Sequence, residues 1–382
     1  MGLKTYLGIR RVPRLEYLVE FLRSVRTGYS REDVLRRVQR IQGDSEAEKA
    51  KALGRQKPRR VSGASIVPEC EKMALQMQFA VRLNSEWSLT HDGEQLLNDC
   101  PEALEDFPSE KVKTTLTTRL WQTYPRFGQT ISAILSQPEG EVILPLRSTA
   151  GSFKKIIAQK YQLDCDVLTF NMIREIGTQL ELLNWHIAEA EGRQLQCVYA
   201  IVCVAKFSYL ERLTGHVPRT GTPLDTCLHE IGLDIGALAF EEGKYVVRTL
   251  FTPELMCSAQ SKGYLAIEFQ SDCAFIRRYR EVEVEKLEQV LWETYLKQAN
   301  YRPLFPVLYP ELRNAVCHCL RLPDRAFDTA IMELIKTPGR LRIYPSGGVL
   351  DYANPMAHRH KYIPPKTRSG RIMIYLKINR VR

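Results

Sequence analysis

The first hundred residues alternate between apolar stripes at helical spacing and charged connections. In RLEYLVEFLRSV (14–25), Leu15, Leu18, Val19 and Leu22 recur at i, i+3, i+4 and i+7, which predicts an amphipathic helix ended by Gly28. Ser30 opens a second helix, SREDVLRRVQRI, with Asp33 three residues on as in a capping box and Val34, Leu35, Val38 and Ile41 on the buried face; Gly43 is its expected end. Residues 44–65 have little apolar content and read as an exposed loop. A third helix is expected over VPECEKMALQMQFAV (67–81), with Pro68 in its first turn and Met73, Leu75, Met77, Phe79 and Ala80 as apolar positions. In EWSLTHDGEQLL (86–97), Trp87 and Leu89 alternate with polar neighbours as in a half-buried strand. Thr90 then stands where an N-cap belongs, three residues ahead of Gly93.

The same order returns along the chain. RLWQTYPRFGQTISAIL (119–135) and FKKIIAQKYQL (153–163) read as helices, as does DVLTFNMIREIGTQLELLNW (166–185), where Phe170, Ile173, Ile176, Leu180 and Leu183 keep helical spacing. A polar turn leads into LQCVYAIVCVA (195–205), which is β-branched and aromatic enough to be a strand. In residues 216–287, CLHEIGLDIGALAF reads as a helix broken by glycines and GYLAIEFQ as a strand. From Glu281 three helices follow, in EVEVEKLEQVLWETYLKQA, PELRNAVCHCL and PDRAFDTAIMELIKT, the last with Phe327, Ile331, Leu334 and Ile335 as its core stripe. Arg340 to Tyr344 predict a strand, PSGG (345–348) a turn, and RIMIYLKI (371–378) a late strand.

Three helices, a strand and a tight connection resemble a winged helix-turn-helix. In many prokaryotic winged-helix modules the strand ends in a leucine-threonine pair, two residues and a glycine before a further helix, and Leu89, Thr90, Gly93, Leu96 and Leu97 match that pattern. The phrase FDTAIMEL followed by GRLRIYPSGG is similar to modules of prokaryotic DNA-transaction and phage-defence proteins; DYANPMAHRHKYIPPKTRSG would be its long wing. The expected fold class is α+β, mostly helical, with tandem winged helix-turn-helix modules joined by a linking subdomain. The expected boundaries are 1–108 for a first module with a basic insertion, 109–215 for a second, 216–280 for the link, and 281–382 for the third.

Composition fits this picture and narrows the ligand. With 44% hydrophobic and 26% charged residues over 382 positions, the chain is ordinary globular material of several modules. No run approaches the roughly 18 consecutive apolar residues of a bilayer span, and no secretory signal opens the chain, so a cytoplasmic protein without membrane attachment is expected. Ten cysteines occur singly or within apolar runs, as reduced core cysteines do. Cys317, His318 and Cys319 lack a second ligand pair at zinc-like spacing, so neither a metal site nor another cofactor is expected. The net charge is +10, of which residues 1–60 carry +9 and residues 352–382 carry +8, leaving the middle at −7. Positive charge confined to the two ends points to a polyanion held by particular surfaces, with solvated basic tails as the plainer explanation.

Double-stranded DNA is the expected partner. Lys and Arg set affinity through phosphates, while side chains at base edges set specificity. Near the third helix the phosphate contacts would be Lys49, Lys51, Arg55, Lys57, Arg59, Arg60 and Lys72, and Gln76, Gln78 and Arg82 are the base-edge candidates. On the C-terminal wing they would be Arg359, Lys361, Lys366, Arg368 and Arg371. Asp324, Asp328 and Glu333 would make the exposed face of the last helix acidic, which suits a protein interface. Nucleotide-binding, HExxH and GxSxG motifs are absent from the sequence, and no catalytic residue is assigned. Asp234 with Glu242 and Lys244 carries the residue types of a metal-dependent nuclease, at loose spacing. The expected function is a non-catalytic DNA-binding subunit, an adaptor in a DNA-processing or phage-defence complex with further protein subunits. The alternatives are an interaction scaffold without nucleic acid, or a transcription regulator.

Overall fold

The computed structural model describes residues 4–52, 64–102, 108–135, 137, 140–146, 149–190, 192–201, 203–205, 238–241, 244–247, 265–268, 274–277, 283–347, 365 and 373–380. The fold class is α+β, with more helix than strand and small antiparallel sheets. Two compact units emerge: residues 1–29, 69–183 and 188–280 form unit 1, and residues 30–68, 184–187 and 281–382 form unit 2.

Unit 1 begins with α1 (Leu15–Arg26), whose predicted stripe is buried together with Phe21 and Val25. Gly28, at φ 96°, follows its end in a conformation that suits glycine. Helix α3 (Val67–Gln76) stops earlier than the periodicity predicts. Gln78 turns left-handed (φ 58°), and the amides of Gln78 and Phe79 bond back to the carbonyls of Leu75 (3.1 Å) and Ala74 (2.9 Å). That is a Schellman closure without glycine, and it drives Phe79 into the core. A hairpin follows, β1 (Ala80–Leu83) and β2 (Glu86–Leu89), with Leu83 opposite Glu86. Its two-residue turn, Asn84 and Ser85, has positive φ at both positions, as a type I′ turn requires.

Thr90 joins this hairpin to α4 (His91–Asp99). Its hydroxyl donates to the Gln78 carbonyl (2.6 Å) and accepts from the Gly93 amide (3.1 Å), while its own amide donates to the Phe79 carbonyl (3.1 Å). The first turn of α4 is thus pressed against the chain leaving α3. A Cβ on Gly93 would lie 2.0 Å from the Phe79 carbonyl oxygen, which explains the glycine. Beneath the hairpin, Trp87 packs edge-on to Phe21 (ring centroids 5.0 Å) and near Tyr29 (5.7 Å).

Further along unit 1, the stretch predicted as one helix over 119–135 is two, α5 (Glu110–Thr123) and α6 (Pro125–Leu135), because Pro125 cannot continue the first. Then come β3 (Glu141–Pro145), α7 (Ala150–Tyr161) and α8 (Val167–Gln179), the last two capped by Thr149 and Asp166. The helix expected to reach Trp185 ends at Gln179. Glu181 (φ 54°) takes the left-handed position and Leu183 starts β4 (Leu183–Ala190), which forms a sheet with β3 and β5 (Arg193–Ala200) in the order β3-β5-β4. Two small antiparallel sheets follow. One is ordered β6 (Cys203–Ala205), β10 (Ala274–Arg277), β9 (Leu265–Glu268), and the other pairs β7 (Leu238–Glu241) with β8 (Lys244–Val247). Strands β7 to β10 lie in the expected linking region, and β6 is drawn from the expected second module. The expected helix over 227–240 is therefore a strand in its described part.

Unit 2 contains α2 (Arg31–Ala52), which runs through Gly43 where the sequence predicts an end. Alanine, glutamate and lysine after Gly43 favour helix enough to absorb one glycine at a cost of about 1 kcal/mol. Helix α9 (Val284–Gln298), β11 (Val307–Leu308), α10 (Tyr309–Leu320), α11 (Asp324–Lys336), β12 (Leu341–Gly347) and β13 (Met373–Arg380) complete it. The three strands form a sheet ordered β11-β13-β12. Its core joins Leu291, Tyr295, Leu312, Val316, Phe327, Ile331, Leu376 and Ile378. The predicted turn at 345–348 is strand as far as Gly347, because Pro345 to Gly347 stay paired with β13.

Candidate nucleic-acid interface

Helix α3, the turn that closes it and the β1–β2 hairpin hold Lys72, Gln76, Gln78 and Arg82 of the first predicted contact set. Of the ten helical residues only Lys72 and Leu75 are exposed. The Lys72 ammonium sits 3.8 Å from Glu69, an exposed pair of the kind worth at most about 1 kcal/mol, so a phosphate can compete for it. Gln76 is committed elsewhere: its carbonyl oxygen accepts from Arg10 Nε (2.8 Å) and from the Tyr124 hydroxyl (2.9 Å). Burial pushes the Tyr124 phenol up, so it remains a donor to Gln76. The glutamates of α3 are engaged too, Glu69 by the Arg11 amide (3.3 Å) and Glu71 by the Tyr29 hydroxyl.

Arg82 lies on β1 rather than on the helix, exposed, with its guanidinium 5.7 Å from the Trp87 ring centroid. Gln78 is the left-handed residue of the α3 closure and points no helix face outward. A groove-reading helix needs three or four side chains at base edges, and α3 presents one exposed cation and one exposed leucine. Lys49 and Lys51 fall on the last turns of α2. Arg55, Lys57, Arg59, Arg60, Arg359, Lys361, Lys366, Arg368 and Arg371 lie outside the described residues, as do Asp234 and Glu242 of the nuclease-like set.

Of the acidic face expected on α11, Glu333 is exposed, beside Lys336, but the two aspartates turn inward. Asp324 is 1% exposed and Asp328 half-buried, both directed at Arg313 of α10, itself 1% exposed. Arg313 reaches Asp328 at 2.9 Å and Asp324 at 3.7 Å, and the Tyr309 hydroxyl donates to Asp328. Asn184, which groups with this unit, donates its amide to Asp324 (2.9 Å) and to the Leu322 carbonyl (3.0 Å). A buried cation needs counter-charge, and α11 supplies it. Burial alone would lower the Arg313 pKa, but Asp328 and Asp324 more than reverse this and keep the guanidinium charged. One cation cannot fully serve two carboxylates. Burial lifts Asp328 to about 6, against the opposing pull of Arg313.

Sequence reasoning did not single out the outer face of the C-terminal hairpin. Along β12 and β13 burial alternates, with Leu341, Ile343, Leu376 and Ile378 inward and Arg342, Tyr344, Tyr375 and Lys377 outward. The signal in the sequence is the period-two alternation of these strands.

No family model and no curated protein sequence matches the chain. Among solved structures it is similar to the restriction endonuclease FokI, with a TM-score of 0.28 and 12% identity over 90% of this chain and 76% of that one. FokI bound to DNA gives a TM-score of 0.27 and 11% identity over 91% of this chain and 76% of that one. Likeness at this level carries no argument about fold or chemistry.

Proposed function

We propose that the protein is a non-catalytic, duplex-DNA-binding subunit built from tandem winged helices. It acts as an adaptor in a larger DNA-processing or defence complex and grips the backbone without reading bases. The observation that carries this reading is the confinement of positive charge to residues 1–60 and 352–382, against a middle of −7. Element order supports it: α9, β11, α10, α11, β12 and β13, with β11 paired on β13, follow the helix and strand sequence of a winged helix. In unit 1 the passage from α3 through β1 and β2 to α4, locked by Thr90 and Gly93, supports it for the first module. The poverty of α3 in free polar side chains favours phosphate contact over sequence recognition.

The test is fluorescence anisotropy with a random-sequence duplex across about 50 to 200 mM salt, where phosphate-driven binding falls steeply. Replacing Arg55, Lys57, Arg59 and Arg60 by alanine should reduce the log–log salt slope by about 3 to 4 if all four hold phosphates. Absent or salt-insensitive binding refutes the proposal. An interaction scaffold is the second reading, favoured by the exposed apolar run Tyr301, Leu304 and Phe305 beside β11. A protein partner would cover those side chains.

A further inference from the structure

We infer that the outer face of the β12–β13 hairpin is a stacking platform for single-stranded nucleic acid, a ligand class separate from the duplex proposed above. Registry fixes the arrangement: Arg342 pairs with Asn379, Tyr344 with Lys377, and Ser346 with Tyr375. Residues paired across an antiparallel ladder share a face, so Arg342, Tyr344, Tyr375 and Lys377 stand on one surface, opposite the core. Tyr344 is 46% exposed and Tyr375 36%. The two rings sit on the diagonal of neighbouring pairs, where Cβ atoms are about 7–8 Å apart and long side chains reach over the same patch. No acidic residue belongs to either strand, and among the described residues neither Arg342 nor Lys377 forms an ion pair with a carboxylate.

The chemistry of this face selects its ligand. Two exposed rings on a sheet, flanked by two cations, combine what single-strand binders use: π-faces for unstacked bases and charges for the backbone between them. Duplex DNA keeps its bases stacked on one another and offers rings of this kind no π-face, so phosphate contact leaves the tyrosines without a role. The core of a protein interface is depleted in lysine, whereas on this face Lys377 stands directly across the ladder from Tyr344.

The experiment uses the full chain and a fluorescein-labelled 15-mer of deoxythymidine, followed by anisotropy at about 50 mM salt. The variants are Tyr344→Ala/Tyr375→Ala, Tyr344→Phe/Tyr375→Phe and Arg342→Ala/Lys377→Ala, each checked for an unchanged melting temperature. The alanine pair should weaken single-strand binding at least about tenfold, while the phenylalanine pair, which keeps the rings and loses only the hydroxyls, binds within about twofold of the parent. The cation pair should flatten the log–log salt slope by about 1.4, two contacts at roughly 0.7 each. The inference is overturned if the 15-mer does not bind, if the alanine pair binds like the parent, or if the phenylalanine pair loses as much as the alanine pair. Duplex affinity of the same variants keeps the two readings apart. A parent that binds thymidine strands but no duplex sinks the proposed function alone, and one that binds duplex but no single strand sinks this inference alone.

Discussion

Replacing Arg313 by leucine removes a buried cation that faces the carboxyl groups of Asp324 and Asp328. The guanidinium lies 2.9 Å from Asp328 and 3.7 Å from Asp324, and its side chain and that of Asp324 are 2% and 0% exposed. Leucine fills much of the volume but takes the guanidinium away from both carboxylates, so the cost is that of breaking a buried pair, about 3–5 kcal/mol. Against a typical total of about 5–15 kcal/mol, that is enough to open unit 2 locally under native conditions. Hydrogen exchange of peptides from residues 309–336, read as local opening free energy at pH 7, measures it. Adding Asp324→Asn and Asp328→Asn to the leucine variant removes the stranded charges and should recover most of the loss, since buried ion pairs exchange for neutral groups at little net cost. A leucine variant within 1 kcal/mol of the parent, roughly the size of an exposed pair, refutes the reasoning, and so does a triple variant no better than the single one.

Other predictions concern titration and the Thr90 junction. Asp328 titrates at about 6 in the folded chain against its ordinary 3.8, so the folded state holds that proton more tightly than the unfolded one. The stability this confers is fully present below about pH 4 and lost as pH rises through about 6. Urea midpoints of the parent should therefore fall relative to Asp328→Asn across that interval; a constant difference refutes the assignment. Gly93→Ala forces a Cβ against the backbone oxygen of Phe79, which cannot rotate away, and should cost about 1–3 kcal/mol, with a lower melting temperature. Thr90→Val deletes both hydroxyl bonds at the cap and should cost about 0.5–2 kcal/mol, which Thr90→Ser restores.

Most helices and the late strands were legible, because their apolar positions repeat at 3.6 or 2 residues and long periodic segments carry their own signal. Helix ends were less so, for one physical reason. Gln78, Gln162, Glu181 and Arg321 all take the left-handed conformation usually given to glycine, at φ between 53° and 58°. With no glycine to mark them, α3 and α8 appeared to run on, into Val81 and Trp185. The marker that did exist is the next residue. Phe79, Leu163, Leu182 and Leu322 are each buried, and each returns its amide to a carbonyl five or six positions back. A polar residue followed by a buried apolar one was thus the end signal. The inward turn of Asp324 and Asp328 was hidden differently. Their partner Arg313 belongs to another helix, and no local spacing shows which carboxylates a distant cation will recruit. The same holds for Gln76, which looked free on a helix until Arg10 and Tyr124 closed on it.

Trp87 gives the β1–β2 hairpin an optical consequence. Its indole is half-buried, braced edge-on by Phe21 and faced by the Arg82 guanidinium at 5.7 Å, whereas Trp121 and Trp185 are buried and the half-buried Trp292 stacks on Tyr295. Emission from an indole shifts and dims as a nearby cation moves, so any polyanion that draws Arg82 away changes the colour and brightness of Trp87. Unlabelled protein can therefore signal occupancy of this hairpin by itself, with Trp87→Phe as the blank.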